Sequence, residues 1–169
     1  MGDRANLVLI GMPGAGKSTV GILLAKALAR PFLDTDIYLQ SREGKPLQAI
    51  IQERGIEFFK DLEENYVLSL ACEGYVIATG GSVVYSQRAM EHLRRSGRLL
   101  FLDLSFPLLA RRIQDMDARG IVRTPGQELE ALYRERKPLY EKYADIRIAC
   151  DHKDHERVVR EILLLLGAR

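Results

Sequence analysis

Gly11-Met-Pro-Gly-Ala-Gly16-Lys17-Ser18 satisfies the pattern GxxxxGK[ST], with a lysine and a hydroxyl residue directly after the last glycine. Glycines in such a run let successive backbone N–H groups turn into one concavity, which suits the oxygens of a phosphate chain. Lys17 would reach the terminal phosphates, and the Ser18 hydroxyl would serve a magnesium ion. A glycine-rich turn without a ligand would explain Gly14 and Gly16 but not a Lys-Ser pair at this offset. The motif predicts a site for ATP or GTP formed by Gly14, Ala15, Gly16, Lys17, Ser18 and Thr19.

Phe32-Leu-Asp-Thr-Asp36 adds two carboxylates one residue apart. At the carboxyl end of a strand, where open parallel sheets bind ligands, both can project toward the phosphates. Asp34 is then suited to holding magnesium through its water shell, and Asp36 to orienting or deprotonating an acceptor hydroxyl. The plainer alternative is that one of the two caps the helix that follows.

These residues need a rigid scaffold, and the rest of the chain supplies the pattern of one. Strand-like aliphatic segments recur at Leu7–Ile10, Phe32–Asp34, Tyr75–Ala78, Leu99–Leu104 and Asp145–Cys150. Helical periodicity marks Lys17–Ala29, Glu57–Leu70, Ser86–Arg95, Pro107–Gln114, Gln127–Arg136 and Asp154–Leu166. The alternation predicts an α/β fold, a parallel sheet with helices on both faces. The first helix carries Val20, Leu23, Leu24 and Ala27 on one face and should stop before Pro31. Arg119–Gln127 lacks periodicity and holds two glycines, a proline and two arginines, so it is the expected mobile segment.

Composition narrows the classes further. The chain has 169 residues, 47% hydrophobic and 28% charged, which fits a single domain with a real core. A net charge of +2 is too small for a nucleic-acid surface. No apolar run approaches the ~20 residues that span a bilayer, and no leader precedes the first strand, so no membrane partner and a cytoplasmic location are expected. Cys72 and Cys150 lie far apart without CxxC spacing and read as buried thiols. His152 and His155 form an HxxH with no further ligand and read as a solvated face, not a metal site. His92 has no nucleophile nearby to activate, and Tyr133, Tyr140 and Tyr143 read as a core-and-rim set.

Taken together, the phosphate loop, Asp34-Thr-Asp36, the segment RGIEFFKDLE (54–63), ATGGS (78–82) and RERKPLYEKYAD (134–145) resemble the shikimate kinases, within the nucleoside monophosphate kinase group, over most of the chain. The resemblance implies a five-stranded parallel sheet in the order 2-3-1-4-5, a helical substrate-binding segment spanning about residues 36–63, and a lid near 115–127. It implies ATP as phosphate donor, magnesium as cofactor, and the 3-hydroxyl of shikimate, a small anionic metabolite, as acceptor; a monomer is expected. Asp36 corresponds to the acid that holds the substrate hydroxyls, Asp34 to the magnesium-side acid, and Arg136 to a substrate-binding arginine. Gly80 and Gly81 match two glycines of a three-glycine run against the substrate, and Ser82 replaces the third. Lys60 stands where an arginine normally clamps the substrate carboxylate; it keeps the charge but lacks the planar fork. Arg119 resembles the lid arginine that stabilises the moving phosphoryl group, with Arg123 as the alternative, and Arg112 the arginine that lies against adenine. Lys60 and Ser82 keep open a kinase of the same architecture for a hydroxy amino acid or a sugar acid. A nucleotide-binding regulatory module without turnover is the reading from another class.

Overall fold

The computed structural model describes residues 5–113, 121–124 and 126–167. Strands β1 (Asn6–Ile10), β2 (Phe32–Asp34), β3 (Val76–Ala78), β4 (Gly97–Asp103) and β5 (Ile146–Ala149) form one sheet in the order β2-β3-β1-β4-β5. Every pairing is parallel, and β1 sits at the centre with Leu9 level with Ala78 of β3 and Leu100 of β4. Central strands buried on both faces must be apolar throughout, and all five residues of β1 are buried. The polar member, Asn6, is reconciled by bonding: its amide donates to the Cys72 carbonyl and accepts from the Tyr75 N–H.

Helices α1 (Lys17–Leu28), α5 (Gln87–Ser96), α6 (Phe106–Arg112), α7 (Leu129–Tyr143) and α8 (His155–Leu165) pack around this sheet. α1 ends as Pro31 requires, with Ala29 in the left-handed conformation at φ 51° closing the last turn. The main core runs through the sheet and these helices, from Val8 and Leu9 to Leu100, Tyr140 and Ile162.

Between β2 and β3 lie three helices: α2 (Thr35–Glu43), α3 (Leu47–Arg54) and α4 (Ile56–Leu68). Only the last was expected from periodicity; the first two bury just Thr35 and Leu39, and Ile50. So few buried positions leave no stripe to read. The three helices share a second, small core of Leu39, Ile50 and Phe59, joined by Val122, which also lines the cleft. α7 also departs from expectation: it begins at Leu129 and runs past Arg136 to Tyr143, with Pro138 inside it. Burial of Leu132, Arg136, Tyr140 and Tyr143 along one face carries the helix through the proline.

Candidate active site

The carboxyl ends of β1, β2 and β3 open into a cleft of about 670 Å³. The phosphate loop forms one wall. Gly14 and Gly16 have φ of 80° and 99°, a region that only glycine enters freely, and this turns the chain so that α1 begins with no side chain capping its first turn. Those amides remain available to an anion, and Gly14, Gly16, Lys17, Ser18 and Thr19 line the cleft. Ala15 is buried behind them, its N–H bonded to the Met12 carbonyl. Lys17 is also buried; its ammonium donates to the carbonyls of Gly11 (2.8 Å) and Met12 (3.0 Å). Burial lowers its pKa from 10.5 to about 8, against the pull of Asp36 and Asp34.

Asp34 does two things. Its Oδ1 caps α2 by accepting from the N–H groups of Asp36 (2.9 Å) and Ile37 (3.2 Å), while its Oδ2 accepts from the Ser18 hydroxyl at 2.6 Å. The capping alternative and the phosphate-side placement are thus both realised in one side chain. A hydroxyl oxygen and a carboxylate oxygen in contact are the donors a hard, oxygen-seeking cation takes, so the pair fits magnesium.

Asp36 lines the cleft. Desolvation raises its carboxyl from 3.8 to about 6, although Lys17 opposes the shift. Thr35, between the two acids, accepts from the Gly80 N–H at 2.9 Å and so ties the start of α2 to the loop after β3. Gly80 needs to be glycine for space: a Cβ there would come within 2.2 Å of Glu63 Oε1 and 2.6 Å of Asp36 Oδ1. Gly81 packs against Pro13 of the phosphate loop and the Arg136 guanidinium, and its carbonyl accepts from Tyr140 at 2.6 Å. Tyr140, stacked on Phe101, is therefore a core residue that positions a cleft residue.

Arg136 is only 1% exposed, yet its guanidinium lines the cleft. It donates to Tyr85 (3.0 Å) and to the Val122 carbonyl. Lys60 stands apart from the cleft lining: it pairs with Glu57 at 2.9 Å and lies 5.4 Å from the Tyr85 ring, whose centroid is also 4.9 Å from Arg136. Arg112 reaches the phosphate loop, with a long bond of 3.4 Å to the Gly14 carbonyl. Arg123 is half-buried and donates to the Gln127 carbonyl at 3.0 Å. Arg119 lies outside the described residues.

Sequence reasoning passed over two titratable cleft residues. Glu63 is 4% exposed, and burial raises its carboxyl to about 8; a 2.6 Å hydrogen bond from Ser82 opposes the rise and Asp36 reinforces it. It closes the RGIEFFKDLE segment without a role assigned to it there, and its partner Ser82 lies nineteen positions away. His155 was taken for a solvated residue, but it opens α8 beside Gly16 and lines the cleft. No metal cluster of His, Cys, Asp and Glu occurs among the described residues. His92 bonds the Leu70 carbonyl at 2.9 Å, a structural contact. Cys150 is buried as expected, whereas Cys72 is only partly so.

Comparison with known proteins carries the same pattern. The family model for shikimate kinase matches residues 13–166. The chain is 38% identical to the shikimate kinase of Pseudomonas syringae over 165 residues, covering 96% of each chain. It is 37% identical to that of Aquifex aeolicus over 161 residues, covering 95% of each. Among solved structures, shikimate kinase from Acinetobacter baumannii in complex with shikimate superposes with a TM-score of 0.89 at 30% identity, over 96% of this chain and 93% of that one. With its phosphate loop, its paired acids and its sheet order, this chain belongs to the shikimate kinase family.

Proposed function

We propose that the chain transfers the γ-phosphoryl group of ATP to the 3-hydroxyl of shikimate. The observation that carries this reading is that Lys17 and Ser18, Asp36, and Arg136 all line one cleft, so phosphate, acceptor hydroxyl and acceptor carboxylate each have a partner on the same wall system. The loop amides and Lys17 take the phosphates; Arg136 takes the carboxylate; Asp36 faces the alcohol. Near neutral pH Asp36, with its carboxyl at about 6, is mostly ionised yet more basic than a surface carboxylate. It accepts the hydroxyl proton as the new O–P bond forms and the bond from the γ-phosphorus to the bridging oxygen breaks, with ADP leaving. Ser18 and Asp34 would hold magnesium, which would neutralise charge on the phosphates. Arg119, with Arg123 as the alternative, supplies the lid cation, and Arg112 lies against the nucleotide base. Residues 36–63 form the acceptor segment and 115–127 the lid. A cleft lined by residues of one chain supports action as a monomer, and the use of ATP together with two free thiols supports the cytoplasm.

A coupled assay for ADP with shikimate, hydroxy amino acids and sugar acids tests the reading. Shikimate should be the acceptor that stimulates turnover; stimulation by another acceptor alone would move the chain to the alternative that Lys60, turned aside onto Glu57, keeps in view. ATP binding without phosphorylation of any acceptor would favour the regulatory module. In the same assay Asp36→Asn should lower kcat by about 10²–10⁴-fold. Its affinity for ATP should stay within about threefold, because Asp36 is not part of the phosphate loop.

A further inference from the structure

Arg136 lines the cleft, and the group that fixes the direction of its fork stands behind it, outside the lining. Val83–Tyr85 form a single 3-10 turn just after the Gly80-Gly81 loop; Val83 and Val84 are buried, and Tyr85 at the end of the turn meets α7. The Tyr85 hydroxyl accepts from Arg136 Nε at 3.0 Å and donates to Glu135 Oε1 at 2.6 Å, so one hydroxyl joins a cation to an anion. Glu135 is steadied in turn: its Oε2 accepts from Gln127 at 2.7 Å, and Gln127 Oε1 accepts from the Thr124 N–H at 3.1 Å. The bond from Tyr85 holds the Glu135 carboxyl below its ordinary range, and burial pushes the Tyr85 phenol up. Near neutral pH the hydroxyl therefore keeps its proton and the carboxylate its charge.

A guanidinium can grip a carboxylate with two parallel N–H groups in two ways: from its side, with Nε and one Nη, or from its end, with Nη1 and Nη2. Nε carries a single N–H, and here Tyr85 has it. Nη2 gives one of its two to the Val122 carbonyl, and Nη1 lies against the cleft residue Gly81, 3.1 Å from where a Cβ would stand. The end of the fork is the edge left for an anion. We propose that Tyr85 is a positioning residue for the acceptor: by holding Arg136 Nε it commits the guanidinium to end-on binding of the acceptor carboxylate through Nη1 and Nη2. Glu135 acts one step further out, by aligning the Tyr85 hydroxyl. The proposal rests on the reading that Arg136 takes that carboxylate.

Initial rates of the full chain with shikimate separate the two. Turnover by the unaltered protein and a raised shikimate KM in Arg136→Lys test the reading; Tyr85→Phe tests the proposal. Tyr85→Phe should raise the shikimate KM about three- to tenfold, with the ATP KM and kcat within about twofold. In the Arg136→Lys background, where no fork is left to aim, the same change should move the shikimate KM by less than about twofold. Glu135→Ala alters an exposed residue and tests the same chain of bonds without touching the turn; it should raise the shikimate KM about threefold. An unchanged shikimate KM in Tyr85→Phe or in Glu135→Ala, beside a raised one in Arg136→Lys, overturns the proposal and leaves the reading standing. An unchanged shikimate KM in Arg136→Lys overturns the reading and the proposal with it. An ATP KM that rises in parallel, or a Tyr85→Phe effect of equal size in both backgrounds, makes Tyr85 merely structural and also overturns the proposal.

Discussion

Arg136 illustrates how one residue can be both core and site. Its guanidinium is held by Tyr85 and by the Val122 carbonyl, and the Tyr85 hydroxyl in turn donates to Glu135 at 2.6 Å. A planar fork with five donors can keep these partners and still offer N–H groups to a carboxylate, which an ammonium cannot. Arg136→Lys should therefore raise the shikimate KM by roughly 10–100-fold while moving the ATP KM little, measured by initial rates at saturating co-substrate. At this scale the sequence was informative wherever chemistry is local. The phosphate loop, both aspartates and Arg136 are recognisable from neighbours in the chain. Glu63 and His155 were not, because what makes them cleft residues is a partner from another element, Ser82 for one and Gly16 for the other. Lys60 was placed by motif position alone, and nothing in its own neighbourhood of the sequence announced that Glu57 would hold it.

The elements matter through their ends. β2 stops at Asp34, which caps α2 and meets Ser18, so the same carboxylate sets the angle at which α2 presents Asp36. Two substitutions separate these roles. Asp34→Ala should cost about 1 kcal/mol of stability through loss of the cap. Asp34→Asn keeps a capping oxygen and should stay within about 0.5 kcal/mol, but it should raise the magnesium concentration needed for half-maximal rate. Thermal unfolding and a magnesium titration of activity check the pair. The strands and the long helices were legible because burial on both faces, or along one stripe, leaves a period in the sequence. α2 and α3 were not: they bury three residues between them and are bounded by glycines at positions 44 and 55. The extension of α7 through Pro138 was hidden for the opposite reason, since local propensity argued for a break that tertiary burial overrode.

Across the whole molecule, two cores meet at the cleft. The larger one belongs to the sheet; the smaller one joins α2, α3 and α4 to Val122. Between them sits a group of charges whose burial opposes folding. Glu63 has its carboxyl raised from 4.5 to about 8, chiefly by desolvation, so the folded state binds more protons than the unfolded state between those values. Its contribution is most favourable below about pH 4.5 and is progressively lost as pH rises toward 8. Glu63→Gln removes that titration. The melting temperature of the variant, relative to the unaltered protein, should climb between pH 5 and pH 8, and a constant difference over that range would contradict the assignment.

The contact between Arg136 and the Val122 carbonyl has a consequence for which compounds can enter. The Tyr85 hydroxyl and a peptide oxygen already occupy part of the guanidinium's donor set, so an incoming ligand meets only the N–H groups that remain. A carboxylate adds charge attraction to those hydrogen bonds, while a neutral ester or amide of the same acid has the hydrogen bonds alone. Uncharged look-alikes should therefore be screened out before any difference in shape is tested, and an inhibitor built for this cleft needs a permanent anion at that end.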